Sequence, residues 1–134
     1  MTEYQGRCHC GETEWTVKLG DEAHILCHCD ACKILSGGEN TLNQVAPQSD
    51  FKITKGKTNV YTYKGDSGND VHCYYCPNCT AHAYHHQTVL GDKVIVRTSL
   101  LQGAKKFPVA AEIFGKDRLS WQPELAKTFQ GPPE

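Results

Sequence analysis

The sequence predicts a mostly β, single-domain fold of short antiparallel strands with minimal helix, held together in part by metal. Three observations carry that prediction. Apolar and polar residues alternate over short runs, turn signals separate those runs, and eight cysteines stand in three tight groups within 134 residues. Hydrophobic residues make up 39% of the chain, which is modest for a core of this size, so a metal-ligating set is the natural supplement.

The first clear strand is "ETEWTVKL", which puts Trp15, Val17 and Leu19 on one face and Glu14, Thr16 and Lys18 on the other. "FKITKG", "NVYTYKG", "DVHCYY", "AHAYHH" and "KVIVRTSL" follow as further β-rich runs, divided by "KGKTN", "GDSGND" and "LGDK". Only "DACKIL" and the stretch around "PELAKTF" suit helical turns. The domain is expected to span residues 1–130, with 131–134 as a frayed tail. Fourteen basic residues against fifteen acidic ones leave no basic footprint for nucleic acid. The start "MTEYQGRCHCGE" has no apolar signal-like segment and no run is long enough to cross a bilayer, so a soluble, cytoplasmic protein without membrane partners is expected.

That expectation argues against a disulfide framework, and so does geometry. Cysteines two apart on a strand do not bridge comfortably, whereas Cys-x-x-Cys suits a metal knuckle. "CPNC", with Cys76 and Cys79, reads as such a knuckle, a tight turn whose backbone N–H groups point at both sulfurs. It needs two more ligands, and Cys8 with Cys10 is the other isolated pair. Joining them gives a closed four-cysteine zinc site tying the N-terminal strand to the middle of the chain.

Cys27, Cys29 and Cys32 in "CHCDAC" remain as a set of three. Either Cys73 completes them and the second zinc site is closed, or the fourth position is open to water or substrate, as in catalytic zinc. On a strand, Cys73 and Cys76 point to opposite faces, so Cys73 does not easily join the knuckle's metal. Three thiolates make zinc a weak Lewis acid, poorly suited to generating hydroxide, and a soft site of this kind favours an incoming thiol instead. A thiolate held at neutral pH suits chemistry that makes or breaks a carbon–sulfur bond.

"GRCHCGE", "CHCDACKILSGG" and "YYCPNC" resemble the three cysteine blocks of the glutathione-dependent formaldehyde-activating enzyme family, which includes centromere-protein-V-like proteins. The likeness extends through "DFKITKG", "VYTYKGDSGNDVHCYYCPNC", "VIVRTSLL" and "LSWQPEL", nearly the whole chain. The resemblance implies a zinc-stapled β-tent fold with two Zn(2+) per chain: a structural one on Cys8, Cys10, Cys76 and Cys79, and a catalytic one on Cys27, Cys29 and Cys32. It also implies glutathione as co-substrate and carbon–sulfur lyase activity on its adducts, such as S-hydroxymethylglutathione. Two departures stand out. Thr80 occupies the position after the knuckle where the family usually has Gly, and a positive φ there disfavours a β-branched residue. Cys73 is extra to the pattern.

Other residues invite smaller expectations. His9 and His28 lie between ligand cysteines and should point away from the metals. His82, Tyr84 and His86 share a strand face by simple alternation; His82 and His86 are candidates for proton transfer, against the plainer reading of a polar strand. Lys33 and Ser36, with Gly37 and Gly38, could present donors to a glutathione carboxylate, or simply end a helical turn. Lys105 and Lys106 read as solvated surface, and Phe114 and Trp121 as core or interface. Two rival functions remain: a non-catalytic zinc-stapled protein-binding module, and a zinc hydrolase or isomerase acting on a small carbonyl compound. Composition does not decide the oligomeric state.

Overall fold

The computed structural model describes residues 1–132. Ten strands run along the chain: β1 (Thr2–Arg7), β2 (Glu14–Leu19), β3 (His24–Cys27), β4 (Thr41–Pro47), β5 (Phe51–Lys55), β6 (Asn59–Lys64), β7 (Asp70–Tyr75), β8 (His82–Gln87), β9 (Lys93–Arg97) and β10 (Val109–Ile113). One short α-helix, α1 (Asp30–Ser36), follows β3. All six runs that the sequence marks as strands form strands, and "DACKIL" lies in α1.

The strands make two sheets, one of three strands in the order β1-β2-β5 and one of seven in the order β10-β3-β4-β9-β8-β7-β6. Trp15, Val17 and Leu19 are buried, as their alternation requires. They pack with Ala46 of β4, Val94 and Val96 of β9, and the nearby Leu101, Ala104 and Phe107. Phe51 and Tyr84 meet at 4.2 Å between ring centroids, and Tyr84 stacks on Tyr74 at 4.5 Å, which extends the apolar layer between the sheets. Gly6 faces Trp15 across the β1–β2 ladder, and a Cβ there would lie 2.2 Å from the indole Nε1. The close approach of strand and ring therefore needs glycine.

Two expectations are corrected. β10 pairs with β3 in parallel, not antiparallel, because residues 98–108 form a crossover long enough to return the chain in the same direction. "PELAKTF" is not helical. Its Pro123 supplies no amide hydrogen, and the Leu125 and Ala126 N–H groups are captured by the Glu112 carboxylate, at 2.6 and 3.0 Å, rather than by a helical ladder. Of the two readings given for Trp121, core or interface, its 67% exposure excludes the core, and Phe114 is half-buried at a left-handed φ of 53°. Of the tail expected at 131–134, residues 133 and 134 lie outside the described residues, and the Gly131 carbonyl accepts a 2.9 Å hydrogen bond from the Phe114 N–H. No helix among the described residues is long and apolar enough to cross a membrane.

Alternation gives the seven-stranded sheet a second face, turned away from the core. Register places Cys27 beside Thr41, Asn43 beside Arg97, His85 beside both Ile95 and Cys73, and Cys73 beside Tyr61. Cys27, Thr41, Asn43, Arg97, His85 and Cys73 are all buried, so this face carries a band of buried polar and sulfur-bearing residues. The groove between α1 and β6 lies over its edge.

Candidate metal centre

The cysteines form two clusters. The sulfurs of Cys8, Cys10, Cys76 and Cys79 all lie within 4.8 Å of one another, and so do those of Cys27, Cys29 and Cys32. Cys73 joins neither cluster. In the first, the Cys8 and Cys10 sulfurs are 3.5 Å apart, Cys10 and Cys76 3.7 Å, and the Thr13 N–H donates to Cys8 Sγ at 3.3 Å. Cys8 and Cys76 belong to the apolar core itself, so a metal held here would cross-link both layers.

The knuckle closes through a Thr80 N–H bond to the Cys76 carbonyl and a Cys76 N–H bond to the Ala81 carbonyl, both 3.0 Å. The Cys79 backbone N–H holds the Cys76 thiol down to about 6, as a turn built to stabilise thiolate would. Thr80 does not alter this geometry. It takes φ 69° itself, so the chain keeps the positive-φ position with a β-branched residue in it.

The second cluster sits where β3 ends and α1 begins. Cys29 is the residue before the helix, and its sulfur accepts the Cys32 N–H at 3.2 Å, which fixes both relative to the first turn. Cys32 and Cys27 sulfurs are 3.4 Å apart. Cys32 is the thiol pushed down, to about 2, by hydrogen bonds from Cys27 and then Cys29, with the Thr41 hydroxyl and the Arg97 charge adding to them. Cys27 is pushed up by its hydrogen bonds with Cys29 and Cys32 and by burial. Cys29, against an opposing bond with Cys27, is pushed up by its bond with Cys32 and by burial; in both, repulsion from a neighbouring thiolate adds to the rise. Three thiols converge with no carboxylate among them, a donor set that fits a soft divalent ion such as zinc.

His28, expected only to point away from the metal, is buried and held by Glu112, with Nε2 2.7 Å from Oε1. His9 is exposed. Simple alternation fails in β8, because the register shifts between Tyr74 and Tyr75 and an extra residue enters opposite them. His82 therefore lies with His85, their ring centroids 5.7 Å apart, whereas His86 lies apart, its Nε2 2.6 Å from the Gly91 carbonyl. Burial lowers His82 to about 4 and His85 to about 3, and in both the Arg97 charge adds to the effect. Lys33 Nζ contacts the Asp117 carbonyl and lies 3.1 Å from Asp30 Oδ1, and Ser36 Oγ accepts the Gly38 N–H at 3.0 Å. Lys33 thus ties α1 to the 115–117 turn, and Ser36 is engaged in the turn that ends the helix. Lys106 lies on the exposed surface, 3.6 Å from Glu22.

Sequence reasoning missed Thr41, Asn43, Arg97 and His85. The signal was present in "KVIVR", where alternation sets Arg97 opposite the core-facing Val94 and Val96, but only strand register reveals what it meets.

A groove of about 180 Å³ opens beside the three cysteines, lined by Ala31, Ile34, Leu35, Tyr61 and Tyr63. Burial raises the Tyr63 hydroxyl to about 12, with Cys73, Cys29 and Cys32 adding to the rise, so its ring lines the groove while its oxygen feels the thiols.

The family model described as glutathione-dependent formaldehyde-activating enzyme matches residues 3–117. Among solved structures, the chain is similar to the crystal structure of a Rhodobacter sphaeroides protein, with 23% sequence identity and a TM-score of 0.59, covering 74% of this chain and 88% of that one. That likeness establishes the fold.

Proposed function

Because the chain belongs to the glutathione-dependent formaldehyde-activating enzyme family, we propose that it is a zinc-dependent carbon–sulfur lyase, making or cleaving the C–S bond of a glutathione-type adduct. The observation that carries this reading is the three-sulfur cluster that Cys73 does not join, set beside a groove. Zinc bound by Cys27, Cys29 and Cys32 would offer a fourth position at which an incoming thiol loses its proton.

The chain's own residues support that use. Cys29 and Cys32 are fixed by the first turn of α1, so the cluster keeps its shape when a ligand enters. Ala31, Ile34, Leu35, Tyr61 and Tyr63 offer an apolar wall to the carbon-bearing side of the adduct. Cys8, Cys10, Cys76 and Cys79 would hold a second zinc with no position to spare, as a staple. His82, facing the same interior with an unpartnered Nε2, is the better placed of the two histidines proposed for proton transfer, since His86 is bonded elsewhere.

The test is titration of the cobalt-substituted protein with glutathione, followed by sulfur-to-metal charge-transfer and ligand-field absorption. The expected result is a saturable change at one of two metals per chain. An unchanged four-sulfur spectrum would rule out thiol entry and move the reading to a binding module.

A further inference from the structure

We propose that Arg97 and His85 form a buried oxygen-binding site beside the three-cysteine cluster, and that it receives the oxygen borne by the carbon attached to the substrate sulfur. The inference deepens the thiol reading above and rests on it.

Arg97 is only 5% exposed, yet among the described residues no carboxylate lies within ion-pair distance of it. A buried guanidinium without an anionic partner is costly, and its one side-chain hydrogen bond goes to Asn43 Oδ1, a neutral acceptor. Strand register sets it instead on the sheet face that carries Asn43, Thr41, Cys27, His85 and Cys73. Three thiolates on a divalent ion leave one net negative charge, which Arg97 would balance. A guanidinium has five N–H donors, however, and a thiolate cluster does not use its planar fork as an oxygen does.

His85 supplies the second half. It is 7% exposed, and the Gln87 side-chain amide nitrogen lies 3.4 Å from its Nε2. With that amide as donor, the imidazole proton sits on Nδ1, which is buried without a partner. His82 Nε2 is buried without a partner on the neighbouring ring. Buried polar atoms are almost always satisfied, so an unspent His85 N–H beside a guanidinium with donors to spare marks a place built for an acceptor. A hemithioacetal or thioester carries such an oxygen on the carbon bonded to sulfur. A simple alkyl thiol does not.

The experiment uses that contrast on the cobalt-substituted protein. Thioacetate has an oxygen on the carbon next to sulfur, and ethanethiol has none. Binding of each is read from the charge-transfer absorption in the wild type, Arg97→Lys and His85→Phe, with metal content and far-UV circular dichroism confirming the fold. The ratio of the two affinities cancels whatever the variants do to thiolate binding in general. Each variant is expected to lower the thioacetate-to-ethanethiol ratio by about tenfold or more, the usual cost of losing a hydrogen bond to a charged acceptor. His85→Phe keeps a ring in the cavity and carries the test if Arg97→Lys does not fold. A ratio unchanged in the folded variants overturns the oxygen site and leaves the thiol reading standing. If neither compound perturbs the wild-type spectrum, the thiol reading falls and this inference falls with it.

Discussion

Glu112 Oε1 lies 2.7 Å from His28 Nε2, and both side chains are only 1% exposed. One carboxylate on β10 thereby holds the residue between Cys27 and Cys29. Its other contacts reach Arg118 at 3.2 Å and the Leu125 and Ala126 N–H groups. The pair joins the loop carrying two cluster cysteines to the C-terminal segment, so cysteine placement depends on chain more than eighty residues away in sequence.

Glu112→Gln should therefore cost about 2–3 kcal/mol of stability, because a buried acceptor of four hydrogen bonds loses its charge. Burial would raise the Glu112 pKa, but the bonds from His28, Leu125, Ala126 and Arg118 overcome it and hold the group at about 2, against 4.5 for a free side chain. A depressed carboxylate contributes fully above its unfolded pKa and loses its contribution as pH falls through the folded one. The wild type should lose stability between about pH 4.5 and 2, and Glu112→Gln should show a shallower slope in that window. Denaturant midpoints across pH 2–7 check both. Parallel slopes would mean that ionisation of Glu112 contributes nothing to folding.

The two clusters should respond differently to loss of one ligand. Cys29 is partly exposed at the start of α1, outside the core, whereas Cys76 is buried within it. Cys29→Ser is expected to abolish turnover, keep the fold and retain one zinc per chain. Cys76→Ser should lower solubility and melting temperature first, because a metal bound at that cluster would contribute folding free energy. Zinc analysis with thermal melts separates the two. Full turnover in Cys29→Ser would sink the open-site mechanism.

Much of this was legible in the sequence for a physical reason: cysteine spacing is local. Cys76 and Cys79 in "CPNC", and Cys27, Cys29 and Cys32 in "CHCDAC", are set by turns a few residues long, and the alternation of Trp15, Val17 and Leu19 needs only one strand. What failed was long-range. The extra residue in β8 swapped His86 for His85 as the neighbour of His82, and no single strand carries a sign of a bulge. Arg97 meets Asn43 only through the pairing of β4 with β9. "PELAKTF" has helix-forming composition, but its N–H groups answer to Glu112 instead.

Gly56 is a second point where the cysteine loops depend on a distant residue. It has φ +72°, and a Cβ there would lie 2.1 Å from the Glu12 carbonyl oxygen. The adjoining Thr13 donates its N–H to Cys8 Sγ and its hydroxyl to the Lys57 carbonyl. Gly56→Ala should cost about 2–4 kcal/mol, adding backbone strain to a clash with backbone that has no flexible end to yield. It should also speed zinc loss from the Cys8 cluster. Competition with a chromogenic chelator reads the second effect. An unchanged release rate would show that the loop of Cys8 is set independently of Gly56.

Thr80 gives the opposite case, a position where the sequence carries strain it could shed. Its φ of 69° costs a β-branched residue on the order of 1–2 kcal/mol, while its N–H bond to the Cys76 carbonyl holds it there. Thr80→Gly removes the steric cost but adds conformational entropy to the unfolded chain, worth roughly 0.5–1 kcal/mol. The balance favours glycine, so the variant should be more stable by about 0.5–1 kcal/mol, with zinc stoichiometry unchanged. Denaturant unfolding of the zinc-loaded protein measures it. The Thr80 hydroxyl also lies 2.5 Å from the Cys79 carbonyl, a local bond that glycine cannot make. A loss of stability in Thr80→Gly would mean that this bond outweighs the strain, and that threonine is held at the knuckle for its hydroxyl.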